Sequence, residues 1–485
     1  MRIKYTIQGV IALHRKGIRI LSLVLIAVLS GAAISYFFGR NISNAKVTSK
    51  DKAQPQELTV LMTLKGGSGV YVSDEFKISD KEIFAEPKQY NHNLALASFG
   101  LAASAFSAGD TSAHWGEDGS FGREASLKKC FDGLSLSNQQ FVGYDVSLNS
   151  EASKAAFGIG LRKLNDKYLV IVSVRGGGYG AEWADNFKVG NTSDYHEGFE
   201  TAANRIIEYI ESYLSQHCHD DKVCLWITGY SRGAAIANIV SSKLTQNALG
   251  DMSVIAYTFA TPLTTVNPLE NQNNIFNIIN PYDAITAIPP SQWGFKRAGY
   301  DIVFPLHDGS EDLQKLYDKV TQEYHKLTGS DYNMASFGNF DMLTDVMLMF
   351  SQTREDFAAK YESVFKDLVQ YMMTKTKEDD KWVNVGFSDY FIGKYGNTAK
   401  KAISKFFDNE YVIELNEAGV KIPKEVLYVM TIFEIHGITN PEEVIINSVD
   451  SDMFQKVFSA FSKGGFTLNA KSHYPETYLA WLRTI

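Results

Sequence analysis

Predicted strands and helices alternate along residues 168–290, and this alternation constrains the fold more than any other feature of the chain. Residues 168–174 are apolar and β-branched, which predicts a strand, and the glycines at 176–178 end it. Residues 196–214 repeat apolar side chains at helical spacing. Further strands are predicted at 223–227, 254–259 and 275–279, and a helix rich in small residues at 234–244. Because such alternation is typical of a parallel sheet covered by helices, we predict an α/β fold with a mainly parallel central sheet.

The segment Gly229-Tyr230-Ser231-Arg232-Gly233 lies between a predicted strand and the small-residue helix. GxSxG is a weak signal by itself, but a strand-turn-helix setting holds a serine in a strained, outward-pointing conformation at the carboxyl end of a parallel strand. The glycines fit, because a side chain at 229 or 233 would be pressed between strand and helix. We predict Ser231 as a nucleophile. The alternative is an ordinary loop serine before a helix.

A nucleophilic serine needs a histidine to remove its proton and a carboxylate to orient that histidine. In α/β-hydrolases the three follow in the order Ser, acid, His. Asp283 directly follows the predicted strand 275–279 and is the predicted acid, with simple turn chemistry as the alternative. His473 lies in a polar loop before a terminal helix and is the predicted histidine. His436 is the other plausible candidate, although the apolar residues around it suggest a packed helix end, and His307 and His325 are weaker candidates.

The negative oxygen formed when serine attacks a carbonyl needs backbone N–H donors. The N–H of Arg232, the residue after the nucleophile, is one predicted donor. Gly177, in the glycine turn after the strand at 168–174, is the predicted second donor. An ordinary glycine turn is the alternative for that segment.

Several motifs in order resemble the class 3 (fungal-type) lipases, and among them exported bacterial lipase-like proteins. They are the VRGG turn at 174–177 followed by Trp183, HEGF at 196–199, GYSRG at 229–233, YTFATP at 257–262, NPYD at 280–283 and SHYPETYLAWL at 472–482. The resemblance covers about 90–299 and the C-terminal loop and helix. It implies an α/β-hydrolase fold, ester hydrolysis, and Ser231, Asp283 and His473 as a catalytic triad.

The chain departs from that family's pattern at three positions of the candidate site. The elbow carries Tyr230 and Arg232 where the family typically has His and Leu. The oxyanion turn carries Gly177 where Ser or Thr is usual. These departures bear on the substrate more than on the reaction.

The rest of the chain is divided by its sequence texture. We predict a hydrolase core at 58–304, a helical cap or insertion at 305–465, and a C-terminal part of the core at 466–485 that carries the catalytic histidine. The insertion shows long helical patterns at 357–374 and 424–435 and little strand signal. Its aromatic and methionine side chains either line an acyl-chain pocket or form ordinary helical core.

The N-terminus contains an uncharged apolar run long enough to cross a bilayer. We predict a basic cytoplasmic segment at 1–19, a transmembrane anchor at 20–39 and a polar tether at 40–57, with a cleaved signal peptide or a buried core helix as alternatives to the anchor. The rest of the chain is then expected outside the cytoplasm, on the membrane or secreted.

Composition excludes some functions and leaves others open. A net charge of -8 offers no basic surface for nucleic acid. Cys218 and Cys224 either form a disulfide across a short loop or remain thiols. His217 and His219, near two aspartates, are interpreted as a solvated loop, so no metal and no cofactor is expected.

These observations together predict a serine hydrolase that cleaves carboxylic esters, with a lipid or another acyl ester as substrate. An amidase, thioesterase or peptidase on the same triad is an alternative. A membrane-tethered binding protein that keeps the fold without turnover is another.

Overall fold

The computed structural model describes most of the chain from residue 57 onward. The described residues are 57–65, 68, 70–85, 89–106, 124–144, 155–164, 167–177, 182, 184–218, 222–247, 252–305, 312–331, 342–378, 381–407, 424–438 and 471–485. The predicted cytoplasmic segment 1–19, the anchor 20–39 and the tether up to residue 56 lie outside them, as do Trp183, His219 and His307. Among the described helices, none has both the length and the apolar character needed to cross a membrane.

The secondary structure elements are numbered here in chain order. The strands are β1 (Glu57–Lys65), β2 (Tyr71–Ser79), β3 (Ser137–Val142), β4 (Phe157–Leu164), β5 (Lys167–Val174), β6 (Lys222–Tyr230), β7 (Met252–Phe259), β8 (Ile275–Ile279), β9 (Tyr300–Val303), β10 (Lys375–Glu378) and β11 (Lys381–Asn384). The helices are α1 (Asp80–Ile83), α2 (His92–Ser104), α3 (Ala125–Gly133), α4 (Glu197–His217), α5 (Arg232–Gln246), α6 (Leu313–Thr328), α7 (Met342–Phe350), α8 (Arg354–Lys360), α9 (Glu362–Met373), α10 (Phe387–Tyr395), α11 (Asn397–Phe407), α12 (Lys424–Ile435) and α13 (Pro475–Leu482). Short 3-10 helices cover Asp185–Phe187, Ala284–Ala287 and Ser291–Trp293.

The central sheet has the strand order β3-β4-β5-β6-β7-β8-β9. Strands β5 to β9 pair in parallel, whereas β3, β4 and β5 pair antiparallel at one edge. The parallel strands are buried on both faces, which explains their nearly continuous apolar sequences. The predicted α/β fold with a mainly parallel central sheet is confirmed.

Helices cover both faces of this sheet. On one face, α4 and α5 bury Phe199, Ile206 and Ile236 against β5 and β6 in one apolar cluster. On the other face, α2 and the terminal helix α13 share a cluster with the β1-β2 hairpin. All the strands β5 to β8 therefore end, at their carboxyl side, on the same edge of a rigid sheet, where side chains from different loops can meet.

Helices α7 to α12 form an apolar cluster of their own, which also takes in Phe187, Trp293 and Phe295 from the core segment. The helix predicted at 357–374 is two helices, α8 and α9, that meet at Tyr361. The ring of Tyr361 packs against Phe350 and Phe433 at this break. The β10-β11 hairpin was not predicted, because four-residue strands are too short for alternation to be recognised.

The side chain of Arg354 at the start of α8 joins these helices to the loop before α4. Its guanidinium donates hydrogen bonds to the carbonyls of Gly190, at 2.6 Å, and of Ser193, at 2.8 Å. Glu362 of α9 accepts a hydrogen bond from the N–H of Gly190 at 3.0 Å. These bonds satisfy loop carbonyls and amides that would otherwise be buried without partners, so they fix the helices to the core.

Candidate active site

Ser231 is the single residue between the end of β6 and the start of α5. Its backbone has φ 55° and ψ −127°, a conformation that costs a non-glycine residue about 1–3 kcal/mol. The N–H of Ser231 donates to the carbonyl of Phe259 on β7 at 2.9 Å, which holds the turn in place. The sheet thus maintains a strained serine at its carboxyl edge, in the setting that the sequence pattern predicted.

Gly229 and Gly233 lie where the strand, the elbow and the helix approach most closely. A Cβ on Gly229 would come within 2.4 Å of the carbonyl oxygen of Gly233. A Cβ on Gly233 would come within 2.4 Å of the carbonyl oxygen of Val174 at the end of β5. Both clashes are with backbone atoms, so neither neighbour can move aside cheaply, and only glycine fits.

Replacing Gly233 with alanine is expected to lower the free energy of unfolding by about 3 kcal/mol and to displace the elbow, because the new methyl overlaps the backbone of Val174 and Arg175. Gly393 is a suitable control, since it lies in the exposed middle of α10 with no atom within 4 Å of an added Cβ. Gly393→Ala is expected to stabilise the protein by about 0.5–1 kcal/mol. Chemical denaturation measures both effects, and equal stability of the two variants would contradict this account of the elbow.

Ser231, His473 and Asp283 form a continuous hydrogen-bonded chain. The Ser231 hydroxyl lies 2.9 Å from Nε2 of His473. Nδ1 of the same ring lies 2.8 Å from Oδ2 of Asp283. Asp283 follows β8, and His473 precedes α13, so the tertiary fold brings together residues far apart in the chain. The arrangement allows the imidazole to accept the serine proton while the carboxylate orients the ring.

The Asp283 carboxylate is 1% exposed and is surrounded by hydrogen-bond donors. Its Oδ1 accepts from the N–H of Ile285 at 3.0 Å. Its Oδ2, besides facing His473, accepts from the hydroxyl of Tyr478 at 2.9 Å. Burial and the neighbouring Asp283 raise the pKa of Tyr478 well above its ordinary value, so its hydroxyl remains a donor. These donors replace water around a carboxylate that would otherwise be costly to bury.

Tyr230 and Tyr478 were not predicted as site residues. The Tyr230 hydroxyl donates to the backbone carbonyl of His473 at 2.8 Å, and its ring lies edge-on to Tyr478, 5.5 Å away. The two tyrosines therefore fix the loop that carries the imidazole. Tyr230 departs from the usual residue before the nucleophile, which was the one signal in the sequence that could have identified it.

The two predicted oxyanion donors lie on adjacent segments. The N–H of Arg232 is in the first turn of α5, where no intrahelical carbonyl accepts it. Gly177 follows β5, and the last residue of β5, Val174, is the strand partner of Gly229 on β6. An added Cβ on Gly176 would lie 2.8 Å from the carbonyl oxygen of Tyr230, so this turn touches the elbow. Their role as donors stays a prediction.

The other candidate histidines have partners elsewhere. His436 directly follows α12, and its Nε2 lies 2.9 Å from Oδ2 of Asp367 on α9. His325 on α6 lies 3.0 Å from Asp331 at an exposed position. Neither contacts the serine. Of the three candidates within the described residues, the fold brings only His473 to Ser231.

His196, from the HEGF segment, is fully buried and stacks on Phe199 with 4.0 Å between ring centroids. Burial lowers the pKa of His196 to about 3, so the ring is neutral. The segment thus contributes packing at the start of α4. Cys218 and Cys224 are thiols in the structure. Over the described part of the chain, no group of three or more His, Cys, Asp or Glu residues could hold a metal ion.

A protein-family model described as Lipase (class 3) matches residues 171–293. The matched segment contains Ser231 and Asp283, and His473 lies beyond it. The match confirms the predicted resemblance to class 3 lipases over this segment. A comparison with curated proteins finds no match.

Several solved lipase structures are similar to part of this chain. The Rhizomucor miehei lipase propeptide complex is 16% identical with a TM-score of 0.30, and the alignment covers 44% of this chain and 67% of that one. The lipase of Rhizopus microsporus var. chinensis is 17% identical with a TM-score of 0.28, and the alignment covers 45% of this chain and 76% of that one. A mutant of MDLA from Penicillium cyclopium is 17% identical with a TM-score of 0.30, and the alignment covers 45% of this chain and 80% of that one.

Proposed function

We propose that this protein is a serine hydrolase that cleaves carboxylic esters of lipid acyl groups through an acyl-enzyme on Ser231. The observation that carries the proposal is the hydrogen-bonded chain from the Ser231 hydroxyl through His473 to Asp283, with distances of 2.9 and 2.8 Å. The class 3 lipase match over 171–293 supports ester hydrolysis. The strained backbone of the serine gives further support, because strain of this kind is concentrated at functional sites.

The proposed reaction begins when the Ser231 oxygen attacks the ester carbonyl and His473 Nε2 takes its proton. Asp283 accepts the Nδ1 hydrogen bond and stabilises the imidazolium that forms. The N–H groups of Arg232 and Gly177 bind the negative oxygen of the tetrahedral intermediate. His473 returns the proton to the leaving alcohol, which gives an acyl-serine. A water molecule, deprotonated by the same histidine, then releases the carboxylic acid.

The proposed lipid substrate is argued from the matched family and from the surroundings of the site. The aromatic cluster of α7 to α12 packs on Phe187, Trp293 and Phe295 of the core segment, so a large apolar layer borders the hydrolase sheet. This buried layer places apolar packing beside the hydrolase sheet, and the matched family carries the choice of an acyl substrate. His473 retains 20% side-chain exposure, so the imidazole is accessible from one side.

The test measures turnover by the full-length chain in detergent with p-nitrophenyl esters of short and long acyl chains. The matched p-nitroanilide and thioester are assayed under the same conditions. We expect the esters to be the best substrates, long acyl chains to be favoured, and a fluorophosphonate to label the peptide that contains Ser231. Preferred cleavage of the anilide or thioester would replace the ester assignment with that of an amidase or thioesterase. A folded protein that turns over none of these compounds and resists the fluorophosphonate would be a binding protein.

A further inference from the structure

Three charged side chains lie buried next to the elbow. Arg175, Glu182 and Arg232 are each at most 4% exposed. They belong to different segments, since Arg175 follows β5, Glu182 comes after the glycine turn and Arg232 begins α5. None of them takes part in the hydrogen-bonded chain from Ser231 to Asp283.

Direct contacts connect the three residues. Nε of Arg232 donates to the backbone carbonyl of Glu182 at 3.0 Å. The Glu182 carboxylate in turn forms an ion pair with the Arg175 guanidinium at 3.0 Å. The N–H of Arg175 donates to the carbonyl of Ala156, the residue before β4, at 2.9 Å, which anchors the group to the edge of the sheet. The start of α5 is thereby connected to Arg175 and Glu182, which lie on either side of Gly177 in the sequence.

The position of these contacts matters because the backbone of Gly177 needs restraint from other residues. Gly177 has no side chain, and glycine has more accessible backbone conformations than any other residue. Arg175 stands shortly before it and Glu182 shortly after it. The ion pair therefore joins Arg175, two residues before Gly177, to Glu182, and the Arg232 side chain links Glu182 to the elbow.

The burial of these charges is a second indication that the three residues have a role beyond stability. Burying an ion pair costs desolvation free energy, which the attraction between the charges offsets only when the geometry is good. Proteins in which apolar residues replace such a pair are often equally stable or more stable. Global stability alone is thus a weak explanation for three buried charges at this place. Alignment of backbone donors is a stronger one, because catalysis by an oxyanion site depends on donors that are fixed before the reaction.

We propose that the Arg232 side chain and the Arg175–Glu182 ion pair are positioning residues, which hold the backbone N–H groups of Arg232 and Gly177 at the separation needed to bind one oxyanion. This inference rests on the proposed function. In it, Arg232 acts twice: its N–H is one donor, and its side chain restrains the turn that supplies the other.

The test compares the full-length protein with Arg232→Met, which keeps the length and apolar stem of the side chain, and Glu182→Gln, which removes only the charge. Fluorophosphonate titration counts reactive serines, and kcat and KM for a p-nitrophenyl ester are expressed per titrated site. A trifluoromethyl ketone with the same acyl chain is the third probe, since its adduct on Ser231 places an oxyanion in the site. Arg162→Met is the control. The Arg162 side chain also donates to a backbone carbonyl, that of Leu134. Arg162 lies on β4 opposite Leu169, near the end of β5 that is far from the elbow.

We expect both variants to lower kcat by about 10- to 100-fold with little change in KM, because a small misplacement of catalytic groups has effects of this size. The inhibition constant of the ketone should rise by a similar factor, while Arg162→Met changes neither. A purely structural role would reduce the number of titrated sites and leave kcat per site and ketone affinity unchanged, and that result would overturn the inference. If Arg232→Met does not fold, Glu182→Gln decides by the same criteria. A wild-type protein without labelling or turnover would instead refute the proposed function, and this inference with it.

Discussion

Ser231→Ala is expected to lower ester turnover by about 10³-fold or more and to abolish fluorophosphonate labelling, because it removes the only atom that can form the acyl-enzyme. The remaining activity would come from substrate binding and from the oxyanion donors, which the substitution leaves in place. Thermal unfolding should be nearly unchanged, since the substitution removes one partly exposed hydrogen bond to His473 and keeps the same backbone conformation. Steady-state kinetics and intact-mass measurement after labelling provide the readouts.

Ser241→Ala is the matched control, since this serine is buried in the same helix, α5. Its hydroxyl has no hydrogen-bond partner among the described residues, so its loss should leave both activity and stability close to wild type. Turnover by Ser231→Ala equal to that of Ser241→Ala would refute the assignment of the nucleophile.

Asp283→Asn is expected to lower kcat by about 10⁴-fold, because an amide at this position stabilises the wrong tautomer of His473. The Asn oxygen can retain the hydrogen bond from the N–H of Ile285, which leaves the amide nitrogen facing Nδ1 of His473. That nitrogen donates a hydrogen bond to an unprotonated Nδ1, so the single ring proton lies on Nε2, which can no longer accept the proton of Ser231. Pre-steady-state acylation, measured per folded molecule, is the direct readout.

Asp367→Asn provides an unusually close control. Asp367 is also a buried aspartate that faces a histidine, His436 at 2.9 Å, and it accepts hydrogen bonds from Lys394 and Tyr395. Burial by itself would raise the pKa of Asp367, but these hydrogen bonds lower it below its ordinary value. The substitution should therefore destabilise α9 and α12 without a change in kcat per active site. The opposite pattern, with Asp367→Asn inactive and Asp283→Asn within tenfold of wild type, would contradict the proposed triad.

Local sequence patterns determined the class of fold and the position of the elbow. Strands with continuous apolar runs, helices with periodic apolar residues and the glycines around Ser231 depend on short-range backbone geometry, which neighbouring residues encode directly. The boundaries of β8 and α12 agree with the predicted ones for this reason. The break at Tyr361 did not follow from the sequence, because the apolar spacing continues through it and the rings that contact Tyr361 belong to other helices.

The partners of Ser231, unlike the strands and helices, could not be identified from local sequence patterns. Order along the chain made Asp283 and His473 reasonable candidates, but two histidines in the structure face a buried aspartate, His473 and His436. The distance of 2.9 Å from His473 to Ser231 distinguishes them, and it joins residues that are 242 positions apart in the sequence. The same holds for the Tyr478 hydroxyl on Asp283 and for the contacts of Arg232 with Glu182. The sequence by itself determined a strained serine on a parallel sheet, whereas tertiary packing alone decided which side chains surround it, because contacts between distant segments leave no local periodic signal.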